Sequence, residues 1–270
     1  MKIIHMTDIH YGERGEAIHY REPALIMKEA IKSINELHDD ADFLLLTGDL
    51  AHEGKLGAYE YLMSDLSKLK IPVLFTIGNH DNRKNALAIL KGAKADENGF
   101  IQQAVELKDN SVLLILDSKK EGTHAGEYCK KRQAWLREQL EYYKNKKVFI
   151  SIHHAPFNTG LHSMDRLRIC KNESLEIQKL LKEHGNVRHI FFGHYHRPLA
   201  GNWGGISFSS LRGISHQVKL DFKSSYEICT YEEPQYSIVL IDENLEEGEE
   251  PNIMVHYHDF MDIQPFDFSL

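Results

Sequence analysis

Five short clusters in this sequence gather side chains that bind cations. They are Asp8-Ile9-His10, Gly48-Asp49, Gly78-Asn79-His80-Asp81, His153-His154 and Gly193-His194-Tyr195-His196. Carboxylates, imidazoles and one amide oxygen suit Mn, Fe, Zn or Co better than Ca or a thiolate-bound structural zinc. Two such ions about 3.5–4 Å apart form a clamp for displacement at phosphorus. One carboxylate must then bridge them. Asp49 follows a glycine that lets the backbone turn tightly, so it can reach inward, and Gly78 and Gly193 are expected to repeat the device.

Each cluster alone has an ordinary explanation. A lone D-x-H arises often by chance, and a Gly-Asp pair is more often a turn than a site. His153-His154 beside Pro156 reads equally well as a loop with one buried imidazole. Gly-His-Tyr-His is more pointed, because imidazoles at i and i+2 of an extended chain share a face. The ordered occurrence of all five, each after an apolar run, carries the inference.

Those apolar runs are the elements that must position the donors. Lys2–Thr7, Phe43–Thr47, Pro72–Ile77, Ser111–Leu116, Val148–Ile152 and Ile190–Phe192 read as strands. Phe43–Thr47 shows no polar alternation, as expected of a strand covered on both faces. Helical periodicity separates the strands at Glu22–His38, Leu56–Leu69, Lys131–Lys144 and Ser174–His184, the first aligning Ala24, Met27, Ile31, Ile34 and Leu37 on one face. Such alternation predicts βαβ units and a layered α/β fold. In open sheets of this kind ligands bind beyond the carboxyl ends of the strands, where residues distant in sequence converge. After about residue 200 strands follow one another without helices: Ile206–Ser210, Gln217–Phe222, Tyr226–Thr230, Tyr236–Asp242 and Ile253–His258. They predict antiparallel strands completing a second sheet, with the acidic DENLEEGEE stretch (242–250) as an exposed hairpin loop.

Composition sets outer bounds. The 270 residues are 42% hydrophobic and 27% charged, with a net charge of −8, which is ordinary for a globular chain. No basic stripe is present; the densest basic patch, KNKK before Val148, reads as a solvated turn. A nucleic-acid partner is therefore not expected. Cys129, Cys170 and Cys229 are sparse and unpaired in spacing, which fits a reducing compartment. Neither a signal-type segment nor a run near the ~20 apolar residues of a bilayer span occurs, so no membrane partner and a cytoplasmic location are expected. Histidine, at 17 residues, is abundant.

The order D-x-H, G-D, G-N-H-D, H, G-H-x-H resembles the signature of the calcineurin-like metallophosphoesterases, from residue 2 to about 200. GNHDNR at 78–83, LDS at 116–118 with a following Gly126, and the 153–154 pair are similar to the class III cyclic nucleotide phosphodiesterase branch. Arg212-Gly-Ile-Ser-His-Gln-Val218 and Val255-His-Tyr-His258 are similar to the bacterial glycerophosphodiesterase within it. The resemblance implies an α/β four-layer α-β-β-α sandwich of two mixed sheets flanked by helices, with residues 1–200 as catalytic core and 201–270 completing a single domain. Asp8, His10 and His196 would bind a first divalent metal, Asn79, His153 and His194 a second, with Asp49 bridging. His80 would face the phosphate and Asp81 would orient its ring from behind. The branch usually shows HHPP, whereas this chain has His153-His154-Ala155-Pro156; the change touches loop geometry and no ligand.

Attack of a metal-bridging hydroxide on a small phosphodiester is the implied reaction. A phosphomonoesterase using the same site is the alternative within enzymes, and a metal-free binding scaffold the alternative outside them, disfavoured because every ligand position is intact. His154 and His216 are candidates to face substrate, against plain structural hydrogen bonds. Trp135 reads as core and Tyr142-Tyr143 as the edge of a helix face. The aromatic stretch from His256 to Phe268 is expected either over the active-site mouth or against a second subunit of a homo-oligomer.

Overall fold

In the computed structural model, which describes residues 1–242 and 252–261, the chain begins with β1 (Lys2–Met6), α1 (Pro23–Leu37), β2 (Phe43–Thr47), α2 (Leu56–Leu66), β3 (Val73–Thr76) and α3 (Arg83–Ile89). It continues through β4 (Gln103–Glu106), β5 (Val112–Leu116), α4 (Lys130–Tyr142), β6 (Val148–Ile152), α5 (His162–Asp165), α6 (Lys171–His184) and β7 (Val187–Phe191). Then follow β8 (Leu199–Trp203), β9 (Ile206–Ser210), β10 (Gln217–Val218), β11 (Cys229–Thr230), β12 (Gln235–Ile241) and β13 (Ile253–Asp259). Local chemistry sets several boundaries. Pro23 opens α1, where its missing N–H costs nothing. Gly185 closes α6 in the left-handed conformation that glycine adopts freely.

Two mixed sheets result. One has the order β13-β12-β1-β2-β3, the other β4-β5-β6-β7-β9-β8. β1, β2 and β3 are mutually parallel, as are β5, β6, β7 and β9. Three packed layers of side chains hold the sandwich together. Ile4, Met6, Leu44 and Leu46 pack with α1 and α2 residues such as Met27 and Leu62. Ile3, Leu45, Leu113, Ile115 and Phe149 fill the space between the sheets. Leu114, Ile150 and Ile190 meet Leu136 of α4 and Leu181 of α6. Successive strand residues thus alternate between two apolar layers, which is why their sequences show no polar alternation. The arrangement is the expected four-layer α-β-β-α sandwich.

The late strands depart from expectation. β8 and β9 join the sheet of β5–β7, and β9 runs parallel to β7. β12 and β13 instead extend the other sheet antiparallel from β1. Predicted strands Gln217–Phe222 and Tyr226–Thr230 shrink to the two-residue β10 and β11, a separate ribbon. β8 escapes prediction because its residues are largely exposed, and an edge position tolerates the flanking Pro198 and internal Gly201. Trp135 packs partly buried against the α4–α6 layer as expected, Tyr143 is buried and Tyr142 exposed, and Leu37 points to solvent. The acidic stretch from residue 243, and the aromatic tail from residue 262, lie outside the described residues.

Phe149 stands at the centre of the layer between the sheets, and its loss leaves a cavity that two rigid sheets cannot close. Phe149→Ala is expected to lower unfolding stability by about 3–5 kcal/mol, read from urea denaturation. A loss below about 1 kcal/mol would mean that the inter-sheet layer does not hold the sheets together.

Candidate metal centre

The carboxyl ends of β1, β2, β3, β6 and β7 point to one side, and the five clusters follow them directly. Eight non-glycine residues among those described have positive φ, and five of them are Asp8, His10, Asp49, His194 and His196. Left-handed backbone costs an L-residue roughly 1–3 kcal/mol. Its concentration here shows the chain bending sharply off each strand end so that these side chains turn into the crevice. Hydrogen bonds lock the bends: the amides of Asp8 and His10 donate to Gly48 and Asp49 carbonyls at 3.1 and 2.8 Å.

The glycines divide into two kinds. Gly48 has φ +102° and makes the turn that was expected of it. Gly78 and Gly193 do not adopt positive φ; they allow close approach instead. A Cβ on Gly78 would lie 2.2 Å from Asp49 Oδ1, and one on Gly193 2.0 Å from Thr7 Oγ1.

Two donor sets share Asp49. Ligand atoms of Asp8, His10, Asp49 and His196 lie within 4.8 Å of one another, all buried. His196 Nε2 is 3.2 Å from Asp8 Oδ1 and 3.3 Å from His10 Nε2. On the other side, His153 Nε2 lies 3.1 Å from Asn79 Oδ1 and 3.3 Å from Asp49 Oδ2. That same Oδ2 is 3.8 Å from His10 Nε2. Asp49 Oδ1 is occupied by the His80 amide at 2.8 Å, leaving Oδ2 between the two sets.

Outer contacts fix the tautomers. His153 Nδ1–H donates to the Thr47 carbonyl at 2.8 Å, and His196 Nδ1–H to the His216 carbonyl at 2.8 Å. Each Nε2 therefore faces the centre. Asn79 presents Oδ1 because its amide N–H donates to His124 Nδ1 at 2.9 Å. His194 Nε2 is buried without a hydrogen-bond partner among the described residues, as a nitrogen reserved for a cation would be.

Electrostatics points the same way. Burial alone would raise Asp8 and Asp49, yet His196 and His153 beside them pull both below the ordinary carboxylate range. Burial opposes charging of His153 and His196, but Asp49 and Asp8 outweigh it and push each up to about 9. Burial keeps His10 and His194 well below the usual imidazole value. Two imidazolium–carboxylate pairs thus form at the centre, and its donor set fits divalent cations, which would replace those protons.

Around the centre opens a cavity of about 590 Å³, lined by His10, Asp49, His80, His196 and His216 among others. His80 Nδ1–H donates to the His52 carbonyl at 2.7 Å, and the ring lines the cavity. Asp81 does not orient that ring, contrary to expectation. Its carboxylate accepts from the amides of Leu50, Ala51 and Gly78 and from the Tyr59 hydroxyl, at 2.8–3.1 Å. It stitches the loop after β3 to the loop after β2, a structural task.

His154 is not at the cavity surface either. Its Nε2–H donates to the His124 carbonyl and its Nδ1 accepts from Ser118, so both ring nitrogens are spent. Gly126 packs on this ring, where a Cβ would lie 2.6 Å away. Ser118 and Gly126 thus serve His154, and His154 bonds the segment carrying His124, while Asp117 holds Arg83 and the Ile101 amide. His216 does line the cavity, with Nδ1 held by Ser215 Oγ at 2.7 Å.

Sequence reasoning missed His19, His52, His124 and Arg166, all of which line the cavity. His52 stacks on His80 with ring centroids 5.0 Å apart and meets His10 Nδ1 at 3.2 Å. Only the excess of histidine hinted at this outer ring.

Fold and donors together define a metal-dependent hydrolase. Residues 1–198 match the family model for calcineurin-like phosphoesterases. The chain is 35% identical over 274 residues to a probable cyclic nucleotide phosphodiesterase of Rhodopseudomonas palustris, covering 100% of this chain and 96% of that protein. It is 28% identical over 228 residues to the probable glycerophosphodiester phosphodiesterase GpdQ of Arcobacter nitrofigilis, covering 83% and 82% of the two chains. A solved dimetal phosphatase from Danio rerio shares the fold with a TM-score of 0.63 at 16% identity, over 88% of this chain and 91% of that one. This chain belongs to the calcineurin-like phosphoesterase family, whose members carry a dinuclear metal centre.

Removing the Asp81 carboxylate strands three buried amides, each worth about 1–3 kcal/mol. Asp81→Ala is expected to cost at least about 3 kcal/mol of unfolding stability, measured with urea at fixed metal concentration. A variant of unchanged stability and altered pH–rate profile would return Asp81 to the role of orienting His80.

Proposed function

We propose that this chain is a phosphodiesterase that uses two divalent ions (Mn, Fe, Zn or Co) to hydrolyse small diesters of the cyclic nucleotide or glycerophosphodiester type. The observation that carries the reading is Asp49 Oδ2, which lies 3.8 Å from His10 Nε2 and 3.3 Å from His153 Nε2. One oxygen placed between two nitrogen-rich donor sets is what a bridged metal pair requires. Asp8, His10 and His196 would hold one ion and Asn79, His153 and His194 the other. Bound there, the ions would acidify a water and draw charge from the phosphoryl oxygens.

The chain's own residues do the rest. His153 and His196 would release their Nε2 protons to solvent as cations take those nitrogens, and their Nδ1–H bonds keep each Nε2 aimed inward. His80, fixed by the His52 carbonyl, offers Nε2; as an imidazolium it donates to the charge growing on phosphate and then to the leaving oxygen. His216 supplies a wall on the first ion's side, its ring centroid 4.4 Å from that of His196. A cavity of about 590 Å³ suits a small ligand, and the net charge of −8 disfavours a polyanion. The substrate class leans on the names of the relatives at 35% and 28% identity. No helix among the described residues is long and apolar enough to cross a membrane.

Asp49→Ala should lose both metal retention and turnover. His80→Ala should keep its metals while turnover falls by about 10²–10⁴-fold. Elemental analysis paired with kinetics separates the two, and an Asp49→Ala enzyme with full metal and rate would sink the bridge.

With Mn added, bis(p-nitrophenyl) phosphate should be cleaved at least about tenfold faster than p-nitrophenyl phosphate, a transition-state preference of about 1.4 kcal/mol. The reverse order would make the chain a phosphomonoesterase.

A further inference from the structure

The rim of the same cavity carries donors of a different kind. One ligand atom from each of His216, Glu227 and Cys229 lies within 4.8 Å of the other two, and all three residues line the cavity. The β10–β11 ribbon makes the cluster. It pairs Val218 with Cys229 and Gln217 with Thr230, and the Lys219 amide bonds the Ile228 carbonyl at 2.7 Å. His216 immediately precedes β10, and Glu227 and Cys229, two apart on an extended segment, face the same side. The His216 ring is anchored through Nδ1 to Ser215 at 2.7 Å. The Cys229 thiol points at Glu227 Oε1 across 3.8 Å. Burial, and then that carboxylate, push the thiol up to about 11.

We propose that His216, Glu227 and Cys229 form a third cation site, selective for thiophilic Zn²⁺, through which excess zinc closes the active site. Imidazole nitrogen, carboxylate oxygen and thiolate sulfur make a three-ligand zinc shell with a fourth position left to water. On binding, the Cys229 proton passes to solvent, and Glu227 with the thiolate supplies two negative charges against the ion's two positive ones. The dinuclear donor set holds no sulfur, so the rim alone offers the thiolate that thiophilic zinc and cadmium favour. An ion there would sit against His216, which contacts the His196 ring, and would block entry to the cavity.

The test uses the Mn-loaded enzyme, with Cd²⁺ as a sulfur-reporting probe and Zn²⁺ as the inhibitor. Cadmium should give an ultraviolet thiolate charge-transfer band that disappears in Cys229→Ser while Cys129 and Cys170 remain. Zinc should inhibit the wild type. In Cys229→Ser the half-inhibiting concentration should rise at least about tenfold, since even an outer partner of a ligand is worth about 10–100-fold. The zinc-free activity of each variant is its own baseline for inhibition, and Glu227→Gln should weaken zinc in the same direction. A cadmium band of equal strength in Cys229→Ser, or equal zinc inhibition of both enzymes, would overturn the site; the latter would place inhibition at the dinuclear centre. The band needs no turnover, so it tests the rim site even if the diesterase reading fails.

Discussion

Asp49 Oδ2 lies between a histidine that follows β1 and a histidine that follows β6, and those strands belong to different sheets. The rest of the fold serves that convergence. Two sheets have to meet at one end closely enough for side chains from both to share an atom. The inter-sheet layer of Ile3, Leu45, Leu113 and Phe149 sets the spacing. At the crevice, polar contacts cross from sheet to sheet: His153 to the Thr47 carbonyl, and the His194 amide to the Asp8 carboxylate. Gly193 permits the approach, because any Cβ there would collide with Thr7.

Such a centre is costly before it does anything. Buried carboxylates must be compensated, and here each is paired with an imidazolium that the attraction itself keeps charged. Five left-handed residues add backbone strain. The imidazolium pairing offsets the first cost, the strain remains, and His194 Nε2 finds no hydrogen-bond partner among the described residues. Stability comes from the three apolar layers, and the site draws on it. Divalent cations would relieve proton crowding and the orphaned nitrogen at once.

Much of this was legible in the sequence because two periodicities reinforce one another. Apolar runs marked the strands, and a donor cluster after each run marked its carboxyl end, so the five clusters and the layered fold could be read together; the family resemblance then picked the seven proposed ligands out of the clusters. What failed has a physical reason. Asp81 and His154 look chemical by type and position, yet each spends its hydrogen bonds on backbone and neighbours, and spacing cannot reveal that. β8 lacked a pattern because it is an edge element with little burial to encode, and the ribbon strands were predicted too long because residues 219–228 between them are mostly exposed. His19, His52 and His124 sit on loops, where no period announces which way a side chain turns.

The same contrast explains why the reaction is clearer than the substrate. The proposed ligands stand at the ends of strands inside a packed sandwich, and packing writes itself into sequence. The walls that would grip a leaving group come from loops around Thr123, from α5 and from the β10–β11 ribbon. One of these walls is nonetheless tied to the centre. Asp165 accepts from the amides of Thr159 and Gly160, and from the hydroxyl of Tyr195, the residue between His194 and His196. With that anchor fixed, exposed Arg166 can change without disturbing a ligand, whereas buried Met164 belongs to the same apolar layer as Tyr195. Specificity can therefore drift on the wall while the dinuclear centre stays constant. A chain built this way declares its chemistry through its strands and leaves its choice of diester to its loops.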